Sequence, residues 1–169
     1  MANGKPHAAQ QRGFTYFGVL FLVLLVGLSL GLAGQLWSSQ SQQARERELL
    51  WVGNQYANAL RSYYRSSPGL AQYPQQLDEL LLDPRFPSVR RHLRRLYPDP
   101  LTGSSEWGLT HSFDGRIVGV YSLSTRTPMK QANFPAQWVE FEGMGSYADW
   151  RFVAEKAFMP GPENRGTQP

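Results

Sequence analysis

The longest apolar stretch of the chain lies near its N-terminus. No charged residue occurs between Gly13 and Ala44, and the segment from Phe14 to Leu36 is apolar except for glycines and three uncharged polar residues. A helix of about 20 such residues crosses the ~30 Å apolar core of a bilayer. Trp37 follows where an aromatic side chain suits the membrane interface. We therefore predict a single transmembrane helix over residues 14–37.

Apolar residues continue beyond this segment at the spacing of an amphipathic helix. They recur at steps of 3, 4, 4 and 3 residues, at Leu49, Val52, Tyr56, Leu60 and Tyr63. Pro68 lacks a backbone donor, and Gly69 readily takes the left-handed conformation that ends helices. The pattern predicts one helix from Phe14 to Ser66, and residues 38–66 form its amphipathic half.

Residues 67–157 have the mixed pattern of a small α+β domain. Two short helices are expected, over Pro74–Leu82 and Val89–Leu96. Four strands are expected, two of them around the hairpin signal Asp114-Gly115, and they cover Leu109–Phe113, Arg116–Leu123, Trp138–Glu142 and Ala148–Ala154. Residues 158–169 are rich in Pro, Gly and polar residues and are expected to form a flexible tail. The sequence predicts an α+β fold in which the long N-terminal helix packs on a small antiparallel sheet.

The composition excludes several kinds of site. The chain has 169 residues, enough for one or two domains, and no cysteine, so disulfides, thiol nucleophiles and Cys-based metal sites are ruled out. Its three histidines are far apart and lack metal-ligand spacing. His111, Ser112 and Asp114 are the residue types of a hydrolase triad, but side chains of successive strand residues point to opposite faces and cannot converge. We expect no enzymatic activity, no metal and no cofactor.

The leader before the apolar run indicates the orientation of the chain in the membrane and the processing of its N-terminus. Met1 to Gly13 contains Lys5 and Arg12 and no acid, which favours a cytoplasmic leader and a C-terminal domain on the other side of the membrane. The apolar run exceeds the 7–15 residues typical of a cleaved signal peptide. A cleaved signal, an uncleaved anchor and a segment cut at its cytoplasmic end remain as alternatives.

Sequence motifs favour the third alternative. Arg12-Gly13-Phe14-Thr15, between a basic leader and an apolar run, resembles the class III signal of type IV pilins and type II secretion pseudopilins. Further stretches are similar to the major pseudopilin type, namely Tyr63-Tyr64, Asp99-Pro100-Leu101-Thr102-Gly103, Trp107-Gly108-Leu109 and Tyr121-Ser122-Leu123. In that family a prepilin peptidase cuts after the glycine and methylates the new N-terminal Phe, so Gly13 and Phe14 would be the processing residues.

The resemblance implies a pilin-like fold and a structural role. The chain would be a single-pass protein of the bacterial inner membrane with a periplasmic C-terminal domain. It would be divided into a leader (1–13), a transmembrane and filament-packing helix (14–37), the amphipathic half-helix (38–66), a periplasmic head (67–157) and a tail (158–169). Its implied partners are other pseudopilins or pilins, the prepilin peptidase and an inner-membrane assembly platform. The residues expected to pack in the membrane or filament are Phe14, Thr15, Phe17, Gly18, Leu20, Leu24, Gly27 and Gly31.

Two departures from the family pattern change the expected role. Family members usually carry a glutamate as the fifth residue of the mature chain, where this chain has Gly18. In that family the glutamate is proposed to pair with the N-terminal amine of a neighbouring subunit, so its loss favours a minor subunit, unless Thr15, water or lipid head groups compensate. The family's calcium loop corresponds to residues 124–133, which contain no carboxylate. Because calcium prefers carboxylate oxygens, we predict that this loop binds none.

A basic cluster is the most prominent charged feature of the head. It consists of Arg85, Arg90, Arg91, Arg94 and Arg95, with His92 among them. On a helix these arginines would form repelling i,i+4 pairs, which an anion or nearby acids would relieve. A solvated face, an acidic protein partner, lipid head groups and DNA are the alternatives, with nucleic acid ranked below a protein partner. A membrane-tethered periplasmic binding module that uses this basic surface is therefore the alternative function.

Overall fold

The computed structural model describes residues 14–155, with side chains described outside 14–15 and 27–39. Its first element is helix α1, Phe14–Arg65, which is 52 residues long and covers the range for which the sequence predicts a helix. Among the described residues, no helix is both long enough and apolar enough to span a membrane. The transmembrane segment over 14–37 stays a prediction. The predicted leader and the tail over 158–169 lie outside the described residues.

The described chain divides into two compact units between Ser41 and Gln42. The second unit is α+β, with helices packed on a three-stranded antiparallel sheet. Its strands are β1 (Gly108–His111), β2 (Ile117–Tyr121) and β3 (Phe152–Val153), in the order β1-β2-β3. Three 3₁₀ helices accompany them, at Leu77–Leu80, Ala136–Phe141 and Tyr147–Asp149.

The apolar stripe of α1 forms one side of the core. Leu49, Val52, Tyr56, Leu60 and Tyr63 are all at most 2% exposed, which confirms the amphipathic pattern. They pack against β2 and β3 and against a group of aromatic rings from the second half of the chain. In that group the Phe141 ring stacks on the rings of Trp138 and Trp150, with centroids 5.2 and 5.4 Å apart.

The predicted hairpin is confirmed, although both strands are shorter than expected. Gly108 pairs with Tyr121 and Leu109 with Val120, and the register shifts between Thr110 and His111. Gly115 has a φ of 77°, a conformation that glycine adopts without strain.

Of the two predicted short helices, the first is present in shortened form and the second is absent. Pro74–Leu82 is helical only over Leu77–Leu80, since the Pro74 carbonyl accepts a hydrogen bond from Ile117 at 2.9 Å. Val89–Leu96 is not a helix, because its backbone bonds to the preceding segment instead of to itself. The backbone N–H groups of His92 and Leu93 both donate to the Leu80 carbonyl, at 2.8 and 2.9 Å.

The last two predicted strands also differ from the structure. The segment predicted as the strand Trp138–Glu142 lies in the 3₁₀ helix Ala136–Phe141. The backbone is not helical at Trp138, where two short turns meet at a kink, and the side chains of Trp138 and Phe141 are both buried. Of the predicted strand Ala148–Ala154, only Phe152–Val153 is strand, and Tyr147–Asp149 is 3₁₀ helix.

Candidate functional site

The predicted basic cluster separates into one enclosed arginine and four exposed ones. Arg85 is held inside the head, with only 20% of its side chain exposed. Its guanidinium lies over the Tyr63 ring, 3.5 Å from the centroid, and Nη2 donates to the Tyr63 carbonyl at 2.8 Å. Nη1 donates to Ser67 Oγ at 2.6 Å. These contacts bind the segment after α1 to the end of that helix, so Arg85 has a structural role.

Asp83 is the centre of this arrangement. Its side chain is fully buried and accepts from Arg85 Nε at 2.8 Å and from Arg85 Nη2 at 2.7 Å. His92 Nε2 lies 3.1 Å from the same carboxylate. Burial opposes ionisation of Asp83, but the hydrogen bonds from Arg85 and His92 outweigh it and lower its pKa to about 2. Asp83 is therefore an ionised, fully paired carboxylate.

His92 connects this buried carboxylate to the protein surface. Its side chain is only 2% exposed, and its ring packs edge-on against Tyr63 at 5.4 Å. Its second nitrogen, Nδ1, lies 2.9 Å from the hydroxyl of Ser62, an exposed residue on α1. Asp83, His92 and Ser62 thus form a continuous hydrogen-bonded chain.

A groove opens beside Ser62 on the outer side of α1. It has a volume of about 420 Å³, and its lining residues are Asn58, Arg61, Ser62, Arg65, Ser66 and Arg90. Sequence analysis singled out only Arg90 among them as a candidate. The signal that sequence analysis missed was their spacing, because residues 58, 61, 62 and 65 of α1 lie on one face of the helix, and Ser66 directly follows its end.

The other arginines of the cluster are exposed, but they are not arranged as predicted. Arg90, Arg91, Arg94 and Arg95 lie in irregular chain, so their i,i+4 spacing does not place them side by side on a helix. The Arg90 guanidinium lies 4.5 Å from the Phe86 ring centroid, and that of Arg95 lies 4.9 Å from the Tyr97 ring centroid. Only Arg90 faces the groove.

The loop over residues 124–133 contacts a carboxylate from the helix. Glu46 of α1 is 3% exposed and accepts hydrogen bonds from the backbone N–H groups of Met129 and Lys130, at 2.8 and 3.1 Å. The Tyr147 hydroxyl donates to the same carboxylate at 2.7 Å. Within the described residues, no group of three or more His, Asp or Glu side chains is placed to hold a metal ion. The backbone donors of Met129 and Lys130 are thus bonded to the carboxylate of Glu46.

Two residues of the rejected triad, Ser112 and Asp114, stabilise the turn of the hairpin. The Ser112 hydroxyl donates to Asp114 across the tip of the hairpin, and this bond lowers the pKa of the Asp114 carboxyl. Arg116 Nε lies 3.3 Å from the same carboxylate.

The first unit presents an apolar surface. Tyr16, Phe17 and residues 19–26 are exposed by 45–72%, which includes the predicted packing residues Phe17, Leu20 and Leu24. A Cβ atom added at Gly18 would meet nothing within 4 Å. Gly13 lies outside the described residues, and the surroundings of Phe14, Thr15, Gly27 and Gly31 are not described either.

Comparison of the chain with protein-family models, with curated proteins and with solved structures gives no significant match.

Proposed function

We propose that the protein is a pseudopilin-like structural subunit of a type II secretion or related type IV pilus-like assembly. It resides in the bacterial inner membrane with its C-terminal domain in the periplasm, and a prepilin peptidase cleaves it after Gly13 and methylates Phe14. It then joins a filament as a minor subunit among other pseudopilins or pilins, with an inner-membrane platform as the assembly site.

The observation that carries this proposal is the apolar surface of α1 over residues 16–26. Ten large apolar side chains in this stretch are exposed by 45–72%, and they point to all sides of the helix. A helix that is apolar all round requires cover by lipid or by other helices. Lipid would cover this apolar surface before assembly, and the helices of neighbouring subunits would cover it after assembly.

The attachment of α1 to the head supports the same role. The Tyr56 hydroxyl donates to the Tyr97 carbonyl at 3.0 Å and accepts from the Tyr97 N–H at 2.9 Å. Arg61 donates to the Ala154 carbonyl through Nε and Nη2, at 3.1 and 2.8 Å. During filament assembly a subunit is displaced by forces on its N-terminal helix. Contacts of this kind are needed so that the head moves together with the helix.

Processing is tested directly by mass spectrometry of the N-terminus after co-expression with a prepilin peptidase. We expect a mature chain that starts at methylated Phe14. Gly13→Asp should retain the leader, because the peptidase accommodates the smallest residue before the cut, whereas the matched variant Gly4→Asp should be cleaved normally. A mature chain that starts at Met1 or near Gln35 would refute the proposal.

The minor-subunit role is tested at Gly18. The structure leaves room for a side chain there, so Gly18→Glu and the uncharged control Gly18→Gln should both insert without a clash. Expressed alone with the peptidase, the native chain should form no long filaments, and only Gly18→Glu should form them, because only a carboxylate can pair with a buried amine. Long filaments of the native chain would rule out the minor role.

The four exposed arginines favour the alternative function, a membrane-tethered periplasmic module that binds an acidic partner. Arg90, Arg91, Arg94 and Arg95 are all exposed, and in the described chain none of them forms an ion pair with an acid. An unprocessed protein that loses its partner after substitution of these arginines would support this function over the pseudopilin role.

A further inference from the structure

The groove on the outer side of α1 is rich in hydrogen-bond donors. Three of its six lining residues are arginines, and the others are Asn58, Ser62 and Ser66, so none of the side chains that line it is acidic. Its volume of about 420 Å³ lies within the range of small-molecule sites, about 300–1,000 Å³. The charge and the donors of this lining suit an oxyanion.

The three arginines are available to a ligand to different degrees. Arg61 is fixed by its bonds to the Ala154 carbonyl and by the bond from Nη1 to Asn58 Oδ1 at 3.1 Å. The Arg65 side chain is 70% exposed, and its Nη2 lies 3.8 Å from Glu155, beyond hydrogen-bond distance. The planar guanidinium of Arg90 packs on a ring and keeps its N–H edge for a ligand. Such groups bind phosphate-type anions with two parallel hydrogen bonds.

The hydrogen-bonded chain from Ser62 to Asp83 determines which atoms the serine presents to the groove. Because Asp83 is ionised, His92 Nε2 carries a proton and donates to it. When the imidazole is neutral, Nδ1 accepts the Ser62 hydroxyl proton, and the serine presents only lone pairs to the groove. When the imidazole is protonated, Nδ1–H donates to Ser62 Oγ, and the hydroxyl proton becomes free to donate to an anion.

Charged and titratable groups surround His92 on every side. Asp83 contacts it directly, and Arg85 is bound to the same carboxylate. Tyr63 packs against the ring and donates its hydroxyl to Glu79 of the neighbouring 3₁₀ helix. The groove arginines lie on the remaining side, beyond Ser62.

The same residue types form the triads of hydrolases, but the geometry favours binding. Ser62 lies inside α1, where backbone N–H groups are bonded within the helix and cannot form an oxyanion hole. Asp83 is already neutralised by two hydrogen bonds from Arg85, so it is less able to stabilise a charged imidazole during a reaction.

We propose that the groove formed by Asn58, Arg61, Ser62, Arg65, Ser66 and Arg90 binds a phosphate-type oxyanion. This site is independent of the pseudopilin role, because it lies wholly within the second unit and involves no residue of the apolar surface.

The test uses calorimetric titration of the full chain in detergent solution with sulfate, which stays dianionic across the range in which histidine titrates. We expect sulfate to bind to the native chain, and the arginine variants below locate the site in the groove.

Two arginines of the same segment provide a matched pair. Arg90→Gln should weaken sulfate binding about tenfold, because it removes a groove donor. Arg94→Gln removes an equal charge outside the groove and should change the affinity less than about twofold. Equal affinities for Arg90→Gln and Arg94→Gln, or for Arg90→Gln and the native chain, would overturn the site.

The source of the oxyanion is distinguished with inorganic phosphate and glycerol phosphate, compared at one pH. Tighter binding of glycerol phosphate would support a phosphomonoester such as a lipid head group, and equal binding would support free phosphate. If neither ligand competes with sulfate, the proposal is wrong.

Discussion

Replacement of Asp83 by Asn is expected to destabilise the head and to change its response to acid. The substitution keeps the size of the side chain but removes the only carboxylate that pairs with Arg85 and His92 in the described structure. Removing one partner of a buried ion pair costs about 3–5 kcal/mol, because the other charge stays buried without compensation. Arg85 is 20% exposed and keeps its bonds to Tyr63 and Ser67, so we expect about 3 kcal/mol.

Asp83 makes the free energy of unfolding depend on pH in a defined direction. The pKa of Asp83 is lowered from 3.8 to about 2 in the folded protein, so the unfolded chain binds the proton first as the pH falls. At 1.36 kcal/mol per pKa unit, this difference contributes about 2 kcal/mol to the free energy of unfolding. That contribution is fully present above about pH 4 and is lost as the pH falls towards about 2. The Asp83→Asn variant should lack this part of the acid destabilisation.

The assay is urea unfolding of the full chain in detergent solution, followed by tryptophan fluorescence. Trp138 and Trp150 are buried in the core and report on the head. With a denaturant slope of about 1–3 kcal/mol per molar urea, a loss of about 3 kcal/mol lowers the unfolding midpoint by about 1–3 M. Asp114→Asn is the control, since it removes an exposed carboxylate that is also paired with an arginine. Equal midpoints and equal acid slopes for Asp83→Asn and the native chain would refute this reasoning.

Three further predictions concern packing and charge in the second unit. Gly53→Ala should lower the free energy of unfolding by about 1–2 kcal/mol, because the added Cβ would overlap the Phe152 ring. This loss should exceed the gain from the higher helix propensity of alanine. A stabilised variant, or one that Phe152→Leu fails to rescue, would contradict this prediction. Glu46→Gln should speed amide exchange at Lys130, because the Lys130 N–H donates to that carboxylate. Unchanged exchange, measured by NMR, would contradict a stabilising role of Glu46 at the loop over residues 124–133. Glu155→Gln should tighten sulfate binding about threefold, because this acid lies 3.8 Å from two groove arginines, and weaker binding in calorimetry would argue against electrostatic competition.

Local patterns determined the elements whose residues interact with near neighbours. The stripe from Leu49 to Tyr63 has the helical period, so it identified both α1 and the face that the core buries. The hairpin was predictable because Asp114-Gly115 favours its turn whatever surrounds it. The apolar run of residues 14–36 indicated the surface that the structure leaves exposed over residues 16–26.

Long-range contacts decided the rest. A strand over residues 138–142 would place Trp138 and Phe141 on opposite faces. The kinked 3₁₀ helix buries both, and the Trp138 ring packs against the Phe152 ring of β3, with centroids 5.2 Å apart. The basic cluster is the clearest case. Its arginines are alike in sequence, but hydrogen bonds to Tyr63 and Ser67, which lie 22 and 18 residues away, hold Arg85 in the head, whereas Arg90 lies at the groove.

The candidate site depends on separations that no local pattern encodes. Ser62 and His92 are 30 residues apart, and their contact exists because the backbone of His92 and Leu93 bonds to Leu80 instead of forming a helix. The sequence by itself determined where the charged and polar groups stand along α1. Only the tertiary structure brought a buried histidine and a loop arginine to that face, because free energy from distant contacts outweighed the local preference for helix.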